Sequence, residues 1–225
     1  MEHKITIVSF DQKISPKDLT GFRGAIASMH PDNALYYNHE NNSVIYRYPL
    51  IQYKFIEGKA SVVGIDEGAD FLEKDFQYGK TYHLNINGRE YDFEVIDKKS
   101  IYYIPESYDQ PCKYYFIKGW LPLNQENYNT YTNLESISDK ISLLDKILSA
   151  NILSLFTGFN YYSEKQSQAN ILEIVSSRTI QYKGNDMLSF DVRVKCNANL
   201  PEFCGIGKGS SRGFGIVYNS HPRRK

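Results

Sequence analysis

The sequence predicts an α+β fold in two successive units, residues 1–110 and 111–225. Three observations carry this reading. Short stretches that alternate apolar and polar residues, rich in Val, Ile and Tyr, recur along the chain and read as strands. Other stretches keep their apolar residues at spacings of three and four, which is the period of a helix. The two kinds of element interleave within each half rather than collecting in separate halves. A length of 225 residues allows one large domain or two small ones, with enough interior to fold without disulfides.

The elements follow in order. Residues 4–10 alternate and are β-branched, so they read as a strand. Ser15 suits an N-cap and Pro16 a first helical position, so a helix is expected to start there and to run through Leu19, Phe22, Ile26 and Met29 until Pro31 ends it. Residues 30–43, polar and rich in Asn and Tyr, read as a loop. Residues 44–48 and 50–56 are strand-like on either side of Pro49, and 60–65 is another strand. Residues 67–76 read as a short helix. Residues 81–87 and 90–96 flank Gly88 as a hairpin, and 100–104 looks extended. The order strand, helix, strands, helix, strand is that of a ferredoxin-like domain. In the second half, 114–121 is strand-like and 124–131 polar and turn-like. From Leu134 to Leu155 the apolar residues keep helical spacing, with Gly158 as the natural C-cap of a helix of about six turns. Residues 171–175 and 179–182 are strand-like. Residues 188–195 alternate, with Leu188, Phe190, Val192 and Val194 on one face, and 214–218 is a last strand. This is a second α+β unit of the same sense, with no visible sequence repeat.

Composition bounds the function. At 41% apolar and 23% charged, the chain is of ordinary globular type, which excludes the disordered, collagen-like and coiled-coil classes. The most apolar stretch, 147–159, is interrupted by Ser149, Asn151, Ser154, Thr157 and Gly158 and is expected not to span a bilayer. The first residues read directly as a strand rather than a leader. Three cysteines (Cys112, Cys196, Cys204) without a CxxC pair disfavour a disulfide scaffold or a four-ligand zinc site, and the expectation is a reduced, cytoplasmic protein. Lys+Arg and Asp+Glu both total 26, yet residues 176–225 hold nine basic and three acidic residues, a net +6, which leaves −6 on the first 175. A basic end on an acidic body points to a polyanion partner; the plainer reading is a solvated tail, since three of the cations are the last three residues.

The densest chemical signal is residues 205–215, with five glycines, Lys208 and Arg212. Glycines let a backbone approach a ligand and aim N–H groups at it, and cations and hydroxyls add contacts that suit phosphate. The register is neither a dinucleotide fingerprint nor a Walker A loop, because Lys208 is followed by Gly209. A glycine-rich hairpin with unusual turns is the competing structural reading. Among the histidines, His3 and His221 near the termini read as solvated and His83 as structural. His30 and His39 flank the polar loop, and Tyr46 follows His39 by seven residues. A lone histidine is more often structural than catalytic, but the polar setting raises His39, since histidine shuttles protons near neutral pH and a nearby tyrosine such as Tyr46 can donate one. No metal-ligand spacing, G-x-S-x-G or Cys/His arrangement stands out, and no cofactor is called for.

Three stretches carry a family resemblance: Phe22-Arg23-Gly24-Ala25; Ile45-Tyr46-Arg47-Tyr48-Pro49-Leu50-Ile51-Gln52-Tyr53-Lys54 with Gly64-Ile65-Asp66-Glu67-Gly68-Ala69; and Leu200-Pro201-Glu202-Phe203 running into Gly205-Ile206-Gly207-Lys208 and Ser211-Arg212-Gly213-Phe214-Gly215-Ile216-Val217. On these the chain resembles the CRISPR-associated endoribonucleases that cut repeat RNA into guide RNAs (the Cas-six family), and within them the b-type subgroup. The resemblance implies two tandem ferredoxin-like (RRM-like) domains with RNA across them. It implies metal-free cleavage that leaves a 2′,3′-cyclic phosphate and a 5′-hydroxyl, with His39 and Tyr46 catalytic and base and acid roles open between them. Relatives often carry two histidines spaced H-x-H in this segment. Here Tyr37 takes the first position, and His30, with Tyr37 seven residues on, is the alternative. The RNA contacts expected are Lys208, Ser210, Ser211 and Arg212 with the N–H groups of Gly207 and Gly209, extended by Arg193 and Lys195. The implied partners are repeat RNA or its precursor, with effector-complex subunits and a second copy of the chain as further candidates, and no membrane. Two other readings compete: a non-catalytic repeat-RNA-binding module of the same fold, and a metabolic enzyme holding a phosphorylated small molecule on the glycine loop.

Overall fold

The strand patterns form a sheet around β1 (His3–Phe10), whose apolar residues are buried. The computed structural model describes residues 1–15, 18–37, 39–40, 43–44 and 48–220, without the side chains of 39, 40, 43 and 44. After β1 come α1 (Leu19–Ser28), α2 (Ala34–Tyr37), the two-residue strands β2 (His39–Glu40) and β3 (Ser43–Val44), β4 (Ile51–Ile56), β5 (Lys59–Ile65), α3 (Glu67–Asp75), β6 (Thr81–Ile86) and β7 (Arg89–Tyr103). The sheet runs β4-β5-β1-β7-β6, with every pair antiparallel. Leaving aside the edge strand β6, this is the ferredoxin-like order. Leu19, Phe22 and Ile26 of α1 are buried, and Phe10 meets Phe22, Phe76 and Phe93 edge-on at 5.7, 5.6 and 5.8 Å, the geometry aromatic rings prefer.

The second unit holds β8 (Lys113–Trp120), α4 (Gln125–Asn133), α5 (Ile137–Gly158), β9 (Ala169–Tyr182), β10 (Asn185–Cys196) and β11 (Ile216–Asn219). Its sheet runs β11-β8-β10-β9, the same order again. Here α5 makes the first crossover, and residues 197–215 stand where the second helix of the pattern would be. By length and composition α5 could cross a membrane. In the unit it is a packing helix, with Leu144, Leu148, Ile152, Leu155 and Phe156 buried and the Asp145 carboxylate accepting the Ile171 N–H of β9 at 2.7 Å. The first unit comprises Met1–Ile104 and Ser211–Gly213; the second takes up Pro105–Ser210 and resumes at Phe214.

Several elements differ from their sequence reading. The first helix is described from Leu19, the Ser15 hydroxyl donates to the Asp18 carboxylate at 2.9 Å, and Pro16, expected at the first helical position, lies outside the described residues. Residues 89–103 form one strand where two segments were expected. Asp97, Lys98 and Lys99 lack an apolar pattern but are paired with Ser9, Val8 and Ile7, and the Lys98 ammonium donates to the carbonyls of Glu73 and Phe76 at the end of α3. The turn expected over 124–131 is helix α4. It buries nothing, but the Asn124 side chain accepts the Asn127 N–H at 2.7 Å and so caps it. Gly158 is the last helical residue rather than the cap, and Asn160 takes the left-handed conformation beyond it (φ 51°). β9 is likewise continuous through Ser176, Ser177 and Arg178, held by pairing with β10. In β10 the clean alternation breaks: Met187 and Ser189 are buried beside Phe190, because the register shifts after Asp191. The polar residues 30–43 also hold α2, β2 and the first residue of β3 rather than a plain loop, while residues 45–47 of the strand expected over 44–48 lie outside the described residues.

Candidate functional site

The polar segment that precedes β4 is tied down by its own backbone. β2 and β3 pair, with His39 opposite Val44 and Glu40 opposite Ser43. Just before them, two buried or half-buried carbonyls at the end of α2 are held: Tyr53 of β4 donates its hydroxyl to the Tyr36 carbonyl at 3.1 Å, and the Arg23 guanidinium of α1 donates to the Tyr37 carbonyl. The His39 side chain and the whole of Tyr46 lie outside the described residues.

His30, the alternative histidine, is engaged by the fold. Its ring stacks on Tyr36 at 4.3 Å with 13° between the planes, and its Nδ1 lies 3.4 Å from Asp75 Oδ2. The same carboxylate oxygen accepts the Tyr36 hydroxyl at 2.7 Å. Burial, and then the Asp75 carboxylate, pushes the Tyr36 phenol far above the ordinary tyrosine range, so it stays a donor. His3, expected to be solvated, is 3% exposed, with Nδ1 2.8 Å from Asp66 Oδ2. His83, expected to be structural, is instead a surface residue paired with Asp92. His221 lies outside the described residues. Among the described residues no three His, Cys, Asp or Glu side chains group as metal ligands.

The glycine-rich stretch is a built extension of the second sheet. The Phe203 N–H donates to Val217 O at 2.7 Å, Val217 N–H to Cys204 O at 3.0 Å, Ile206 N–H to Gly215 O at 2.9 Å and Gly215 N–H to Gly119 O at 3.1 Å. Cys204 and Ile206 are fully buried beneath it. Gly207 shows why glycine is required. Its φ is +76°, and a Cβ there would lie 2.7 Å from Asn151 Oδ1 and 3.0 Å from Trp120 Nε1, which are themselves hydrogen-bonded at 2.9 Å. Residues 205–215 thus form the glycine-rich hairpin with unusual turns, and Lys208 stands exposed on it.

The expected RNA contacts fall into three groups. Lys208 is exposed at the tip, its ammonium 5.8 Å from the centre of the Tyr182 ring. Ser211 and Arg212 run beside β4: the Tyr53 N–H donates to Ser211 O at 3.1 Å, and Tyr53 and Arg212 form a parallel bridge. Ser210, between them, is 8% exposed, so its side chain is turned inward. Gly207 and Gly209 are half-buried, both at positive φ. Arg193 and Lys195 sit on β10, away from the tip. The Arg193 guanidinium lies 5.6 Å over Phe116 and its Nε 3.1 Å from Glu173 Oε2, while the Lys195 ammonium lies 5.5 Å over Tyr114. Tyr53 is the common point that sequence reasoning left unassigned: its N–H holds the glycine stretch and its hydroxyl holds the turn before His39. No local pattern distinguishes it from the other 18 tyrosines, since both bonds are long-range.

Comparison with known proteins places this geometry. The family described as Cas6b N-terminal domain matches residues 1–101, and the family described as Cas6b C-terminal domain matches residues 106–220. A crystal structure of Cas6b superposes with a TM-score of 0.87 at 27% identity, covering 98% of this chain and all of the other. A CRISPR RNA processing endoribonuclease Cas6b superposes at 0.73 with 25% identity and the same coverage. An uncharacterised protein of Methanocaldococcus jannaschii is 40% identical over 105 residues, 47% of this chain and 70% of that protein. With the two domain families covering the two halves of the chain in sequence, this protein belongs to the Cas6b family.

Proposed function

We propose that this chain is an endoribonuclease that cuts CRISPR repeat RNA to release guide RNAs. The observation that carries the proposal is the end-to-end likeness, in both domains, to a Cas6b that processes CRISPR RNA as an endoribonuclease. The chemistry follows from the chain's own groups. One of His39 and Tyr46 takes the proton from a ribose 2′-hydroxyl, whose oxygen attacks the adjacent phosphorus. The bond from phosphorus to the 5′-oxygen breaks, and the other residue gives that oxygen a proton. The products are a 2′,3′-cyclic phosphate and a 5′-hydroxyl, with no metal in the step. Lys208 and Arg212 supply positive charge for the phosphates. Two features support His39 over His30: the backbone before His39 is anchored at two carbonyls, and His30 is held by Asp75 and Tyr36.

The test is incubation with repeat RNA in EDTA, followed by end-group analysis. The expected products carry the two ends just named. His39→Ala should bind the RNA within about twofold of wild type and lose roughly 10²–10⁴-fold in cleavage. Binding without cutting, with or without added metal, would make the protein an RNA-holding module instead.

A further inference from the structure

A cleft of about 430 Å³ in the second unit lies beside the glycine stretch. Its walls are the tip of the β9–β10 hairpin, the first turn of α4 and Lys208. Tyr182 is one of its lining residues. The Lys208 and Lys183 ammonium groups lie 5.8 and 5.9 Å from its ring centroid, and Phe214 braces it edge-on at 5.5 Å. Lys183 stands on a two-residue hairpin turn with φ of +52° at Lys183 and +81° at Gly184, the twist that suits tightly connected strands. The Asn185 side chain donates to the Lys183 carbonyl at 3.2 Å and steadies that turn. Across the cleft, Tyr128 of α4 is 40% exposed, and Leu123, Met187 and Leu188 add apolar wall.

The charge balance is uneven. Two ammonium groups are gathered at one ring, and among the described residues neither has a carboxylate within ion-pair distance. The one acid lining the cleft, Asp186, accepts a hydrogen bond from the Gln181 side chain. Two cations without a counter-ion, an accessible phenol ring and an apolar wall, in a cleft of this volume, are complementary to a flat ring that carries a phosphate. We propose that this cleft seats one unpaired nucleotide of the bound RNA, its phosphate on Lys183 and Lys208 and its base stacked on Tyr128. The inference rests on the RNA-cutting reading and adds a requirement to it: the repeat must offer a single-stranded nucleotide here, because a paired base cannot present its face.

The experiment measures affinity for repeat RNA against salt concentration, with 2-aminopurine placed at successive unpaired positions as the stacking probe. Removing one phosphate contact to a single strand lowers the slope of log Kd against log [salt] by about 0.7. Lys183→Gln is therefore expected to lower the slope by about 0.7, and Lys183→Arg to restore it. Tyr128→Ala should weaken binding about 5- to 150-fold and relieve the fluorescence quenching at one probe position only. If wild type cuts repeat RNA while Lys183→Gln leaves slope and affinity unchanged, or no probe position responds to Tyr128→Ala, this subsite is refuted and the nuclease reading stands. If wild type neither binds nor cuts the RNA, both are overturned.

Discussion

Tyr53→Phe removes a single hydroxyl and tests how the segment leading to His39, the proposed catalytic histidine, is held. That hydroxyl donates to the Tyr36 carbonyl at 3.1 Å, and both residues are 1% exposed, so no water replaces it. Burial pushes the Tyr53 phenol above its ordinary range, with nearby Arg23 opposing, so it remains a donor wherever the protein is folded. Leaving a buried carbonyl without its donor costs about 1–3 kcal/mol, or roughly 5- to 150-fold in the occupancy of the anchored state. The turn it anchors ends two residues before His39. The Tyr53 N–H, which holds Ser211, is untouched by the substitution. Single-turnover cleavage should therefore slow by about 5- to 150-fold. Affinity for a repeat carrying a 2′-deoxyribose at the scissile position should stay within about twofold, and urea unfolding should confirm a folded enzyme at the assay temperature. An unchanged rate, or a rate and an affinity that fall together, would refute the anchoring argument.

Two further outcomes follow from the second unit. Gly207→Ala forces a side chain to φ +76° at a cost of about 1–2 kcal/mol and splits the Trp120–Asn151 bond for about 1 more, so urea unfolding should show a loss of about 2–3 kcal/mol. Gly79→Ala, at φ +73° with open space around it, should show only the first part, and equal losses would remove the packing argument. Asp191 supplies a pH dependence. Burial works to raise its carboxyl, but the Gly119 N–H, the Ser176 hydroxyl and Arg178 together hold it below its ordinary value. A depressed carboxyl stabilises the fold above its unfolded value near pH 4, and that contribution is lost as the pH falls through the folded value. The urea midpoint of wild type should fall more steeply than that of Asp191→Asn as acid is added below about pH 4; parallel curves would show that the carboxylate is unimportant.

Where a stretch buries one face, its period was readable directly. The Leu144, Leu148 and Ile152 stripe of α5 announces itself in the second half, and the Leu19, Phe22 and Ile26 stripe of α1 does so in the first, where the ferredoxin-like order follows from the succession of such elements with the strands. Where the structure depends on a partner elsewhere in the chain, the period says little. Helix α4 buries nothing and rests on the Asn124 cap. The middles of β7 and β9 are polar and exist as strand because β1 and β10 pair with them. At the site, Lys208 and Arg212 were visible as cations among glycines. The role of His30 was not, because Asp75 reaches it only through the fold, and nothing local to Lys183 sets it apart from the other cations of 176–225, since its place beside Tyr182 depends on the hairpin turn.

Because Ser211–Gly213 folds with the first unit while the residues on either side fold with the second, the chain cannot be dissected at residue 104 without loss. A ribosome that has released residues 1–104 has made a sheet whose β4 edge still lacks the Ser211 carbonyl that accepts the Tyr53 N–H. That acceptor, Ser211, follows about a hundred residues later. Throughout synthesis the nascent edge stays open to a stray strand, so expression of the excised first half should favour aggregation, and supplying the missing tripeptide stretch from the rest of the chain should relieve it.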